Sequence, residues 1–359
     1  MLIPMRAKPA AAVIAVLLVV TTPGYPCTTL GLVAGSEVLV GKNYDWDIGD
    51  GMVVVNKRGV IKQALVGTNP ARWTSRFGSV TFDQYGREFP SGGMNEAGLV
   101  VELMWLEATR YPTDPAVPGV GSLEWIQYQL DTAGSVAELV ESARRLRIAS
   151  DAKLHYLACD ASGACAVVEY LAGRAAVSIG AGLPLRALTN DTYADSLAFA
   201  CRMAGLGGSQ PIPSGEGSLE RFARGAALAR AFVPTSAAAD VAFAFGVMGA
   251  VRQRGYTQWT IVYDLVRREL AFTTLGDPQP RWVELSTFDF DCGSPVLVAD
   301  IQDGAGDDAN ARFRPYTSEA NHALVARSFA TTPFLQGTPS EVVDALAAHP
   351  ESMTCAAAP

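Results

Sequence analysis

Two stretches of this chain are apolar along almost their whole length, residues 52–55 (MVVV) and 99–106 (LVVELMWL). Both are bounded by glycine and are too short to be buried helices. A strand with one wet face alternates apolar and polar residues, whereas a continuous run needs cover on both sides. The fold must therefore bury at least one sheet between two other layers. Around these runs lie short β-branched segments separated by Gly, Ser or Asp, as hairpins are: "CTTLGLVA", "EVLVGKNYDW", "MVVVNKRG", "GVIKQALV" and "GSVTFDQYG". The turn "GMNEAG" leads into the run at 99–106, and Asn95 and Glu96 in it read as structural residues that aim that strand.

Helical signals follow. Ser135 and Glu138 form a capping box, with Val136, Leu139, Val140, Ala143 and Leu146 at helical spacing behind it. A second strand block comprises "LHYLAC", "CAVVEYL" and "AAVSI", and residues 193–204, 219–232 and 236–249 then read as helices. The segment "WTIVYDLVRRELAFTTL" closes the pattern as a hairpin. Strand blocks interleaved with helical blocks predict an α+β fold of stacked sheets with helices outside. We expect one domain over residues 27–302, a polar linker at 303–310 (DGAGDDAN), and an accessory extension at 311–359. That extension is expected to hold one helix, announced by Thr338-Pro339-Ser340-Glu341.

The first 26 residues have the anatomy of a cleaved export signal. Arg6 and Lys8 precede an apolar run from Ala10 to Val20, and small, turn-forming residues follow. Eleven apolar residues are fewer than the ~20 a membrane-spanning helix needs. Their removal deletes two basic residues and no acidic one, taking the net charge from −8 to −10. An exported, acidic protein, periplasmic or extracellular, is expected, with no nucleic-acid partner and no stable membrane insertion. Six cysteines in such a chain allow disulfides. Cys159 and Cys165 flank a turn and could face each other across two strands. If Cys27 stays a thiol, the five others cannot all pair.

Removal of the leader would make Cys27 the first residue. Its thiol and α-amino group would then sit about one hydrogen bond or one bridging water apart. An α-amine titrates near ~7.7–8.0, so it can take the thiol proton and return it to a leaving amine. Such a site needs no histidine, and the chain has only His155, His322 and His349, none in a triad or metal pattern. It does need a carboxylate to hold the amine, a cation to favour thiolate, and donors for an oxyanion. Asp45 and Lys42 close the strand after Cys27, and a hairpin at "AGS" would fold them back beside it.

Five separated pieces, "CTTLGLVAGSEVLVGKNYDW", "GMNEAGLVVELMWL", "LTND" at 188–191, "ERFAR" at 220–224 and "TQWTIVYDL" at 257–265, resemble in order the choloylglycine hydrolase and penicillin V acylase family. The resemblance implies an N-terminal-nucleophile hydrolase with an αββα sandwich, two mainly antiparallel sheets with helices on the outer faces, cleaving linear amides of small molecules. It implies no cofactor or metal, and a homo-oligomer, a tetramer. By position, Cys27 is the nucleophile and its amine the base, and Asp45 is the carboxylate that binds that amine. Trp105 stands where a backbone N–H lines the oxyanion hole, Asn190 is the side-chain donor, and Arg221 supports the charge network. Lys42 replaces the usual arginine, the turn before it is one residue shorter, and Pro26 disfavours direct signal cleavage before Cys27. Cleavage after Gly24 with later trimming would answer the last point. Met104 and Trp105 favour a hydrophobic acyl group, and Tyr44 and Trp46 either line its pocket or pack the core. Two rival readings use the same residues: an acyltransferase that hands the acyl group to an amine, and an exported binding protein or lipoprotein with a degenerate site.

Overall fold

The computed structural model describes residues 27–304 and 308–356, so the leader and part of the linker lie outside the described residues. The first strand, Thr28–Ala34, turns through Gly35 and Ser36 into Glu37–Asp45. Gly35 takes φ +58°, the left-handed conformation a two-residue hairpin turn asks of glycine. These two strands lie in a six-stranded sheet with Ala187–Leu188, Thr257–Asp264, Glu269–Thr274 and Arg281–Glu284, all antiparallel.

The second sheet has nine strands. Its middle is formed by Leu154–Cys159, Val100–Trp105, Gly92–Asn95, Ser79–Asp83 and Met52–Asn56. Both apolar runs are here, and residues 52–55 and 100–104 are fully buried, as their composition requires. Two helices, α1 (Ser122–Thr132) and α2 (Val136–Ala143), cover the outer face of this sheet. Three more, α3 (Tyr193–Ala200), α4 (Ser218–Ala229) and α5 (Ala237–Val251), cover the outer face of the other. The result is an αββα sandwich. Its inter-sheet core is aromatic: Phe82 meets Trp259, Tyr263 and Phe272 edge-on or tilted at 5.5–6.4 Å.

Several local expectations change on contact with the fold. The first half of "GMNEAG" is strand, not turn: residues 93–95 belong to Gly92–Asn95, where close neighbours leave room only for glycine at 92 and 93. A Cβ on Gly92 would lie 2.3 Å from the Glu102 carboxylate, and one on Gly93 would lie 2.6 Å from the Val80 carbonyl. Ser135 caps α2, but Glu138 completes no box; its carboxylate turns to the Gly134 N–H and Arg76. The extension carries two helices, α6 (Ser318–Thr331) and α7 (Ser340–Ala348), not one. Nor is residue 302 a structural boundary. Arg314–Pro315 extends the nine-stranded sheet beside Leu297–Asp300, Thr354–Cys355 pairs with Val60–Gln63, and Cys355 is bonded to Cys292. That bond closes a loop of 63 residues, which in a chain-entropy account disfavours the unfolded state by about 4 kcal/mol. Cys159 and Cys165 are bonded across their hairpin, leaving Cys27 and Cys201 as thiols.

Asn95 shows how the turn aims the long buried strand. Its fully buried amide donates to the carbonyls of Leu130 on α1 and Ala133 just past its end, and its oxygen accepts from the N–H groups of Ala97 and Leu99. Asn95→Ala strands all four groups at once. It is expected to cost about 3 kcal/mol, read as a lower urea midpoint with the slope unchanged; an unshifted midpoint would refute this role.

Candidate active site

The hairpin register pairs Thr28 with Asn43, which brings the end of the second strand back to Cys27. The Cys27 thiol is 1% exposed and donates to the Asp45 carbonyl at 3.8 Å. Burial pushes this thiol up from its usual range; Lys42 draws it back, and Asp45 raises it further. A thiol so placed does not ionise by itself at neutral pH, so it depends on a nearby base.

Asp45 ends its strand and is fully buried. One carboxylate oxygen accepts from the Thr257 hydroxyl, whose strand is registered against Asp45. The other, Oδ2, is buried with no hydrogen-bond partner among the described residues. Burial lifts the Asp45 carboxyl to about 7, against the pull of Thr257, Arg221 and Lys42. A buried carboxylate oxygen left without a partner is an acceptor in want of a donor.

Arg221 reaches in from α4 and is 1% exposed. Its Nη1 donates to the Cys27 carbonyl at 2.8 Å and to the Thr28 hydroxyl, and its Nη2 donates to Asn190 Oδ1 at 2.7 Å. With its oxygen held, Asn190 presents its Nδ2 to the Trp105 carbonyl at 3.0 Å, while its backbone N–H donates to Ser218 Oγ at 2.9 Å. The amide donor of Asn190, the Trp105 backbone and the Cys27 thiol are thus gathered at one place. Lys42 is not a solvated strand end. It is 1% exposed and points between the sheets, donating to the Leu103 carbonyl, 3.5 Å from Met104 Sδ and 3.7 Å from Glu102. The structure therefore brings together all six residues singled out in the sequence.

Residues the sequence did not offer complete the arrangement. His155 Nε2 meets the Thr189 carbonyl at 2.7 Å and its Nδ1 meets Glu169 at 3.2 Å; Glu169 also accepts from the Tyr193 N–H at the start of α3. Together they fix the loop just before Asn190. Their signal in the sequence was only facing positions on paired strands. Met104 turns out to be core, accepting from the Thr29 hydroxyl at 2.9 Å, and does not line the cavity. That cavity, about 240 Å³, opens from Cys27 along Tyr44, Trp46, Phe89, Leu103, Trp105, Leu123 and Leu154, and is overwhelmingly apolar. Tyr44 and Trp46 line this cavity and also belong to the core, Tyr44 stacking on Trp259 at 4.5 Å.

Comparison with known proteins shows the family and the fold. The family described as linear amide C–N hydrolases, choloylglycine hydrolase family, matches residues 27–230. A penicillin V acylase of Pectobacterium atrosepticum is 27% identical over 260 residues, 61% of this chain and 69% of its own. The solved penicillin V acylase of Agrobacterium tumefaciens superposes with a TM-score of 0.73 at 27% identity, covering 81% of this chain and 98% of its own. The part of this chain left uncovered is larger than the residues before Cys27 account for. A conjugated bile acid hydrolase from Clostridium perfringens shares the fold, with a TM-score of 0.64 at 17% identity over 77% of this chain and 97% of its own.

The buried Lys42–Glu102 contact has a pH signature. Burial lifts the Glu102 carboxyl to about 7, while Lys42 and the Tyr263 hydroxyl, donating at 2.6 Å, pull it down. An unfolded glutamate titrates near ~4.3, so between these values the folded state holds the extra proton and stability falls as pH rises. Above about 7 this contribution is flat. Glu102→Gln removes the slope. The difference in unfolding free energy between wild type and variant is expected to change by about 3 kcal/mol from pH 4.5 to 7.5, and parallel stability curves would overturn the assignment.

Proposed function

Since the chain belongs to the choloylglycine hydrolase family of linear amide C–N hydrolases, we propose that it cleaves an N-acyl amide with an apolar acyl group through an acyl-enzyme on Cys27. The observation that carries this reading is the buried, unpartnered Oδ2 of Asp45, the residue whose backbone carbonyl accepts from the Cys27 thiol. A free α-amino group on Cys27 would supply the missing donor, and the same amine would be the base that the raised thiol requires.

The steps balance without other reagents. The amine removes the thiol proton and Cys27 Sγ attacks the amide carbonyl carbon. The oxyanion is met by Asn190 Nδ2 and the Trp105 backbone N–H. The tetrahedral carbon expels the amine, which takes its proton from the α-ammonium, leaving a thioester. Water, deprotonated by the same α-amine, attacks the thioester; the acid leaves and the thiol is restored. Lys42 contributes its fixed charge near the thiol while gripping the strand that carries Trp105, which speaks against a degenerate site. Its charge survives the exchange from arginine, and its single ammonium suits one carbonyl better than a planar fork would.

The acyl group is read from the cavity. About 240 Å³ of apolar space falls below the roughly 300 Å³ where pockets for drug-sized ligands begin. An aryl-acetyl or medium-chain acyl group fits this better than a steroid. Export belongs to the same reading: Arg6, Lys8 and the apolar run after them support it, as do two disulfides, which persist in oxidising compartments.

Two measurements test the reading. Intact mass of the mature active protein is expected to begin at Cys27 with a free amine, and Cys27→Ala is expected to lower hydrolysis of N-acyl amides by on the order of 10³ or more. Activity that survives the substitution, or a working enzyme blocked at that nitrogen, would remove the mechanism. Separately, Arg221→Lys keeps the charge but cannot hold Cys27, Thr28 and Asn190 together. A loss on the order of 10² in kcat/KM is expected, mainly in kcat; a change of only a few-fold would mean Asn190 is positioned without it.

A further inference from the structure

The two sheets do not close the cavity beside Cys27 by themselves. Its outer wall comes from the far end of the chain: Phe329 on α6, Phe334 and Leu335 in the single turn Pro333–Leu335, and Leu346 on α7. Phe334 is the residue at the mouth. Its ring meets Trp46 edge-on at 6.1 Å and Trp105 at 6.2 Å, yet it remains 51% exposed. It therefore spans the boundary between cavity and solvent.

The helices on either side of that turn are pinned. Before it, Ser328 Oγ donates to the Gln84 carbonyl at 2.7 Å, and Thr332 Oγ1 lies 3.0 Å from the Tyr85 hydroxyl. Asn321 bridges the Arg87 N–H and the Ala347 carbonyl, tying α6 both to the loop at 84–91 and to α7. After α7, the Thr354–Cys355 strand and the bond to Cys292 fasten the end. Between these anchors Phe334 rests on rings. The family match ends at residue 230, well before any of this wall.

We propose that the turn carrying Phe334 is the length gauge of the acyl pocket. The α6–α7 pair forms a fixed distal wall, and the Phe334 ring, seated on Trp46 and Trp105, sets how long an apolar acyl group the cavity admits. This rests on the reading of the cavity as the acyl site. Nothing in the wall touches the reacting atoms, so it sorts substrates and takes no part in bond making. Straight-chain or compact aryl-alkyl acyl groups that end beneath the ring are accepted; longer ones must displace it into the solvent it already borders.

The test uses the mature enzyme with Phe334→Ala, Phe334→Leu and Phe334→Trp. Two profiles are taken: kcat/KM for amides of one amine with acyl groups from butanoyl to dodecanoyl, and binding of the corresponding free acids by quenching of tryptophan fluorescence. Phe334→Ala and Phe334→Leu are expected to raise the ratio of longest to shortest acyl group on the order of tenfold, and Phe334→Trp to lower it, with acid binding shifting the same way. Variants that scale every acyl length by one factor and leave the acid-binding profile in place would overturn the gauge while leaving the hydrolase reading intact. If no amide is turned over by wild type but the acid profile still shifts with residue 334, the wall stands and the hydrolytic reading falls.

Discussion

A single buried guanidinium holds the site in register. Arg221 comes from a helix on the outer face of one sheet; its Nε is spent on the Glu216 carbonyl, and its Nη1 and Nη2 on the carbonyl of Cys27, the hydroxyl of Thr28 and the side-chain oxygen of Asn190. These belong to the head of the first strand and to a loop more than 160 residues further on. Removing such a charge from water costs several kcal/mol, and that cost is offset only if its hydrogen bonds are well met. Here they are, and the planar fork makes the three acceptors converge. Asn190 can offer its Nδ2 in one direction because its oxygen is already engaged.

A second buried cation does related work between the sheets. Lys42 grips the Leu103 carbonyl and faces Glu102, which also takes the Tyr263 hydroxyl and lies against the bare backbone of Gly92. The glycine is what admits a carboxylate at that depth. Polar groups buried this way specify geometry more than they stabilise, since an apolar replacement of equal shape would cost less to desolvate. What they specify is the position of the strand that ends in Trp105, relative to the strand that begins at Cys27. The two halves of the site are thus fastened through the core rather than over the surface.

Much of this was legible in the sequence, for identifiable reasons. The unbroken apolar runs announced a sheet covered twice over, and the hairpin through Gly35 placed Lys42 and Asp45 beside Cys27 by register alone. Asn95 was readable as a turn residue because its neighbours in "GMNEAG" leave few other roles. What could not be read depended on contacts between distant segments. Gly93 looks like the start of a turn until Glu102 and Val80 are seen to press on the strand that Gly92 and Gly93 open. His155 and Glu169 look like ordinary strand residues until their strands pair and the Thr189 carbonyl arrives. The extension was read as accessory because it follows a polar linker and announces only one helix. Its importance lies in edge pairing, a disulfide and a few apolar side chains, none of which leaves a local pattern.

The way that extension is built in has a consequence for how the molecule matures. Its residues lie at the sheet edge, bond to Cys292 and wall the cavity, so the chamber beside Cys27 is unfinished until they are in place. As synthesis proceeds from the amino end, the head of the first strand exists for some three hundred residues of elongation before anything covers the chamber's outer side. Cys27 and the outer wall of its chamber therefore come from opposite ends of the chain, and the chamber is enclosed only once the segments that carry Phe329, Phe334 and Leu346 have packed against it.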